Sequence, residues 1–189
     1  MIIHEKKSWR SARIYPEPVL IIAAYDENGT PQCMNAAWGG LCASDKIMMS
    51  VNPAHATVAA LRSAGAFSVS MGQADQVVAC DYVGITSGNN VADKFARAGF
   101  HATKSELTGA PLIDELAYTL DCTLESYDEE SHILIGTIRD ISVDERILTA
   151  EGTIDVPALA PLSFDPHTKK YYKVTEAVAD ARSVGKALQ

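Results

Sequence analysis

Short apolar runs separated by turn signals dominate the chain. Pro16-Glu17-Pro18 opens "VLIIAAY", a β-branched run that ends at "DENGTP" and reads as a buried strand. Asn28-Gly29 in that turn is a strong hairpin signal, so a second strand is expected to return antiparallel through Gln32 to Ala37. "KIMMSVN", Lys46 to Asn52, reads as a third strand. Pro53 stands where a helix can begin, with Asn52 as its cap, Val58 and Leu61 on one face and Gly65 as its stop. "AFSVSM", Ala66 to Met71, is a further strand. A polar helix from Ala74 to Val83 follows, then a short helix capped by Asn89 or Asn90 and stopped by Gly99.

The pattern then turns more plainly β. "YTLDCTLESY" alternates Leu120, Cys122 and Leu124 against Thr119, Asp121, Thr123 and Glu125, which marks a strand with one wet face. "HILIGTIRDISV", His132 to Val143, is its expected hairpin partner across "DEES", and Gly136 inside it signals a bulge or a close backbone approach. Beyond Asp144 the periodicity weakens; "ALAPLSFDPHTKKYYKV" reads as turns, followed by a helical tail from Thr175 to Leu188. Short, mostly antiparallel strands interrupted by short helices predict a mainly β fold with helical inserts, an antiparallel barrel rather than a doubly wound sheet. The 189 residues suffice for one domain with a full core.

Charge narrows the partners. Sixteen basic against 24 acidic residues give a net charge of -8, without a Lys/Arg cluster longer than a pair, so nucleic acid is not an expected partner. An anion would have to be held by local N–H donors and a few placed cations. Cys33, Cys42, Cys80 and Cys122 form no C-x-x-C pair and read as buried thiols in a reducing compartment. The five histidines lack zinc-site spacing, and no G-x-G-x-x-G or P-loop motif is present. "MIIHEKKSWRSARIY" has no continuous apolar core and no run is long enough to span a bilayer, so a cytoplasmic protein without a membrane partner is expected.

Three stretches carry candidate chemistry. In "SVNPAHAT" a helix beginning at Pro53 leaves first-turn N–H groups unpaired at a positive dipole end, where an anion is stabilised. Ser50, Asn52 and Thr57 can add donors; the alternative is that Asn52 only caps the helix and Thr57 faces solvent. "SGNNVADKFARAG" offers a similar device, with Lys94 early in a helix; a solvated Lys94 beside Asp93 is the plainer reading. In "MNAAWGG", Asn35 supplies an amide, Trp38 a broad apolar face, and the small residues Ala36, Ala37, Gly39 and Gly40 admit a flat ligand to the backbone, although a strand packed around Trp38 would use the same letters.

In this order, with the "VLIIAAYDENG" hairpin before them and "HILIGTIRDISVDE" after, the three motifs resemble the flavin reductase-like family with an FMN-binding split barrel, in particular its flavoredoxin branch. The resemblance covers Pro16 to Tyr172 and divides the chain into an N-terminal extension (1–15), a split-barrel domain (16–172) and a C-terminal helix (173–189). It implies a homodimer binding FMN non-covalently near the subunit interface. Asn35, Ala36, Ala37 and Trp38 would lie along the isoalloxazine, Ser50, Asn52, Thr57, Ser87 and Lys94 would hold the ribityl chain and phosphate, and His132 and Phe164 would stand near the ring. His132 as a turn residue and Phe164 as a core plug are the alternatives. The chain departs from the pattern at His55, where many relatives carry Arg or Lys, and at Gln32, where some flavoredoxins have Asn. The implied activity is hydride transfer from NADH or NADPH to flavin, without a catalytic side chain, for a partner enzyme or acceptor. An FMN electron carrier reduced by a redox protein is the other reading; a split barrel that has lost flavin is a third, opposed by Asn35, Trp38, Thr57 and Lys94.

Overall fold

The computed structural model describes residues 7, 8 and 14–189, so most of the expected extension, 1–15, lies outside the described residues. Among the described residues there are twelve strands: β1 (Glu17–Pro18), β2 (Leu20–Tyr25), β3 (Pro31–Ala36), β4 (Gly39–Ala43), β5 (Lys46–Ser50), β6 (Ala66–Met71), β7 (Ala102–Lys104), β8 (Pro111–Ile113), β9 (Tyr118–Tyr127), β10 (Ile133–Val143), β11 (Leu162–Asp165) and β12 (Lys170–Lys173). The α-helices are α1 (Ala56–Ala64), α2 (Val77–Ile85), α3 (Lys94–Arg97) and α4 (Val156–Leu159). Seven strands form one antiparallel sheet in the order β3-β2-β6-β9-β10-β5-β4, curled into a half-barrel. The expected antiparallel split β-barrel, single domain, is thus the observed fold.

Strand β2 shows why its sequence is apolar without alternation. Leu20, Ile22 and Ala24 enter the core lined by Met49, Leu61, Phe67 and Leu134. Val19, Ile21 and Ala23 enter a second core with Cys80, Val83, Phe95 and Leu162. A strand covered on both faces has no polar side to display. The β2–β3 hairpin turns at Gly29, whose φ of 75° suits glycine, and the Asp26 side chain accepts from the amides of Asn28 and Thr30. The β9–β10 hairpin is fixed the same way, Asp128 accepting from the amides of Glu130 and Ser131. Gly136 serves both roles its pattern allowed: the ladder shifts register there, and a Cβ would stand 2.3 Å from the Phe67 ring.

Several expected boundaries are corrected. Helix α1 begins at Ala56 with His55 as its N-cap, not at Pro53; Asn52 instead accepts from the Ala54 amide and caps the preceding turn. The Gly65 stop is in place, left-handed and donating to Leu61. The helix expected as polar is a 3-10 turn at Ala74–Gln76 followed by the largely apolar α2, which packs on β3. The helix expected after Asn89 has only four residues, capped at Asp93. Residues read as turns form the β11–β12 hairpin, whose cross-strand partners only the fold supplies, and β4 was not anticipated because it is short and mostly exposed. The helical tail is absent: residues 174–189 are irregular and exposed apart from a 3-10 turn at Val184–Leu188, since no core lies beneath them to reward helix formation.

The sequence of strands explains "MNAAWGG". β3 and β4 are the two opposite edges of the seven-stranded sheet, yet only Ala37 and Trp38 separate them in the chain. The chain therefore crosses the open seam of the barrel at these residues, and no ladder joins the strands on either side. Gly39 follows because a Cβ there would meet Met49 Cγ at 2.5 Å.

Candidate functional site

Strand β3 carries the two cores on alternate residues. Met34 and Ala36 face the core under α1, Cys33 faces the core under α2, and Asn35, on the Cys33 side, donates its amide to the Cys80 carbonyl at 3.3 Å. Helices α1 and α2 both pack on this edge strand, and a run of clefts opens along it. One, of about 380 Å³, is lined by Asn35, Ala36, Ala37, Trp38, Ser50, Asn52 and His132, together with His55. A second, of about 350 Å³, is lined by Thr57, Ser87 and Lys94 with residues 83–86 of α2 and its end. Asn35, Met34 and His55 belong to both, which makes the two contiguous, and each is of small-molecule size. Phe164 lines a third cleft that again includes Asn35 and Ala37. All eleven residues singled out from the sequence thus gather at the barrel seam.

The first cleft is a backbone-rich slot. Trp38 is 63 % exposed, so it is not the centre of a packed strand. Its carbonyl accepts from the Ser50 amide at 2.8 Å, while the Ala37 and Trp38 amides have no protein acceptor among the described residues. His132 is in the left-handed region, φ 59°, and its carbonyl accepts from Val51, so the turn before β10 is locked against the end of β5.

The second cleft has anion-binding character. The Ala56 and Thr57 amides at the start of the nine-residue α1 have no protein acceptor among the described residues, as expected in a first helical turn. Thr57 is buried against them and Ser87 stands on the facing loop. Lys94 is buried, 3 % exposed, and donates to the carbonyls of Val83 and Thr86. Burial lowers its pKa, with nearby Cys33 acting the other way. Lys94 therefore is not a solvated partner of Asp93, which pairs with Arg97. A helix start, a hydroxyl and a buried cation form a donor set that fits a phosphate, and the slot beside it fits a planar ring.

Other residues complete the site. Asn89, expected as a helix cap, instead donates its side chain to the Ala54 carbonyl at 2.9 Å and clamps the 87–90 loop to the α1 entrance. Gly88 permits that approach, since a Cβ would lie 2.9 Å from Gln32 Oε1 and 3.1 Å from Ala56 Cβ. Gly84 does the same for α2, where a Cβ would lie 3.0 Å from Asn35 Cβ. Only the glycine spacing in "VGITSG" hinted at these contacts. Gln32 is engaged by Asp26. All four cysteines are free, but Cys42 is exposed, contrary to the expectation that all would be buried.

A curled half-barrel with a slot across its seam and an anion site at the adjoining helix start defines the class of split-barrel ligand-binding proteins. The chain belongs to the flavin reductase like domain family, which matches residues 11–169. The flavoredoxin of Desulfovibrio vulgaris (Miyazaki F) is similar at 34% identity over 96% of this chain and 100% of that one, with a TM-score of 0.89. The flavoredoxin of Methanosarcina acetivorans follows at 26% identity, 99% and 100% coverage and a TM-score of 0.87. Nitrilotriacetate monooxygenase component B of Bacillus cereus shares the fold at 20% identity, 88% and 89% coverage and a TM-score of 0.75. No curated protein matches the sequence. Among the described residues, no helix is long and apolar enough to cross a membrane.

Proposed function

We propose that the chain binds FMN non-covalently at the barrel seam and works as an oxidoreductase that takes hydride from NADH or NADPH. The observation that carries this reading is the contiguity, at Asn35, of a ring-sized slot and a cleft holding Lys94 and the free α1 amides. Bound FMN supplies the redox centre, as a hydride acceptor and electron donor. The protein's own part is to hold and orient it. Lys94, Ser87, Thr57 and the α1 amides bind the phosphate, Ser50 and Asn52 the ribityl chain, and Asn35, Ala36, Ala37 and Trp38 the ring edge. His132 and Phe164 bound the ring from the neighbouring walls. No side chain is assigned as acid or base.

The likeness to two flavoredoxins favours one further reading, an FMN electron carrier reduced by a protein partner, and the charge of -8 would suit docking to a basic one. We also assign a homodimer. Its support is the apolar cleft of about 730 Å³ beside the seam, where Ile14, Trp38, Leu41 and Met48 are exposed next to the open outer edge of β4. Free thiols throughout agree with a reducing compartment, the cytoplasm.

The deciding experiment is the absorption spectrum of protein incubated with FMN and desalted, followed by NADH and NADPH oxidation kinetics. A flavin spectrum with nucleotide oxidation is expected for the reductase. A flavin spectrum without oxidation leaves the carrier, and a colourless protein rejects both.

A further inference from the structure

The apolar cleft beside the seam holds one charged residue that apolar contacts leave unexplained. Glu17 lines the cleft among Ile14, Trp38, Leu41 and Met48. Strand β1 fixes it there by pairing Glu17 with Phe164 and Pro18 with Ser163 of β11, and Glu17 is only 6 % exposed. Among the described residues its carboxylate has no hydrogen-bond or ion-pair partner. A carboxylate withdrawn from water is stabilised when a cation reaches it, so the cleft offers an apolar socket with one anionic contact.

Residues 174–189 carry the complementary surface. They are exposed, with Val178 at 98 % and Leu188 at 95 %. Wound at about 100° per residue, Val174, Val178, Ala181, Val184 and Leu188 fall within one stripe about 120° wide. Arg182 lies along one border of that stripe, one turn beyond Val178, and makes no ion pair among the described residues. The segment thus has the pattern of an amphipathic helix and lacks a surface to fold on, which is why its periodicity and its structure disagree.

We infer that this cleft receives the C-terminal tail of a second copy, wound into a helix with its apolar stripe against Trp38, Leu41 and Met48 and Arg182 of the partner subunit on the Glu17 carboxylate. Tail and cleft are both uncovered in the single chain, so the contact forms between chains, and two-fold symmetry makes the exchange reciprocal. Arginine suits a desolvated carboxylate because its planar guanidinium donates two parallel bonds. Two chains of charge -8 repel each other, and an ion pair at each end of the exchange offsets that repulsion where the surfaces meet. The inference rests on the homodimer reading and adds what occupies the interface.

Charge reversal in the whole chain tests it by sedimentation equilibrium. Arg182→Glu, Val178→Asp and Glu17→Lys should each raise the dimer dissociation constant about tenfold or more, and Arg182→Glu combined with Glu17→Lys should regain most of that loss. Arg182 and Val178 are exposed, so their variants keep the urea midpoint measured where the protein is monomeric, and they carry the test even if Glu17→Lys does not fold. A dimer indifferent to both tail substitutions would overturn the inference and leave the homodimer standing; a wild-type monomer would overturn both. Loss without recovery in the folded double variant would overturn the inference at its central contact. A lower urea midpoint for Glu17→Gln at monomeric concentrations would place the partner of Glu17 within its own chain and overturn it as well.

Discussion

Lys94 shows how much a single side chain's meaning depends on its surroundings. In the sequence it stands at the start of a helix, where a cation opposes the dipole. In the structure its ammonium reaches the carbonyls at the other helix's C-terminal end, those of Val83 and Thr86, where a cation is favoured. It thereby ties α3 to α2 and places a buried cation on the wall of the second cleft. Lys94→Met, which keeps much of the stem, should weaken FMN by about ten- to a hundredfold and riboflavin much less, because riboflavin lacks the phosphate. Fluorescence titration with both flavins checks this, and equal losses would take Lys94 out of the phosphate site. The buried cysteines predict a pH response. Burial pushes the thiols of Cys33 and Cys122 up to about 12 and that of Cys80 to about 11. Between the unfolded thiol value, about 8.5, and these values the folded chain keeps protons that the unfolded chain releases, so stability falls as pH rises. The slope approaches at most about 1.4 kcal/mol per pH unit for each thiol. Lys94, lowered, contributes in the opposite sense, but three thiols outweigh one lysine. Under reducing conditions the urea midpoint should therefore drop between pH 8 and pH 10; a flat midpoint would refute it.

Among the elements, β10 is the most exacting. Its bulge at Gly136 brings the backbone onto the Phe67 ring, and Phe67 is fully buried between the sheet and α1. A methyl group cannot enter there without moving a core aromatic, so Gly136→Ala should cost about 1–3 kcal/mol in chemical denaturation. Gly40→Ala, where a Cβ meets open space, should stay within about 0.5 kcal/mol and is the matched control. The clamp between loops is a second element-level device. Asn89 holds the turn before α1, and α1 begins three residues later than Pro53 alone would suggest.

For the molecule as a whole, the seam is the organising feature. A sheet whose edges are joined by two residues rather than by hydrogen bonds leaves backbone donors and two strand edges without a ladder partner in one place. That is where the clefts lie, and where Trp38, Leu41 and Met48 form an apolar face beside them. If a second copy covers this face, Leu41→Asp should convert a dimer to a monomer in sedimentation equilibrium while urea stability at low concentration changes little, since Leu41 is 68 % exposed in the single chain. A wild-type monomer at micromolar concentration would reject the assignment.

Local chemistry was legible wherever it depends on near neighbours. The "DENG" and "DEES" turns, the double-faced run of β2 and the Gly65 stop follow from residues a few positions apart, and so did the motifs that gather at the seam; the face of β9 read as wet is instead buried at Thr119 and Asp121, which hydrogen-bond to Ser70 and to Ser105 and Thr108. What depends on distant partners was not. The β11–β12 hairpin, the short α3, the true start of α1 and the unformed tail were decided by which surfaces were available to pack against. Propensity within a short segment is worth only a few tenths of a kcal/mol per residue, whereas burying a side chain is worth about 1.5–3 kcal/mol, so tertiary contacts prevail where the two conflict. The same reason hid Lys94's partners, Asn89's clamp and the cleft beside Phe164. Each joins groups far apart in the chain, and only the closure of the curled sheet brings them within reach.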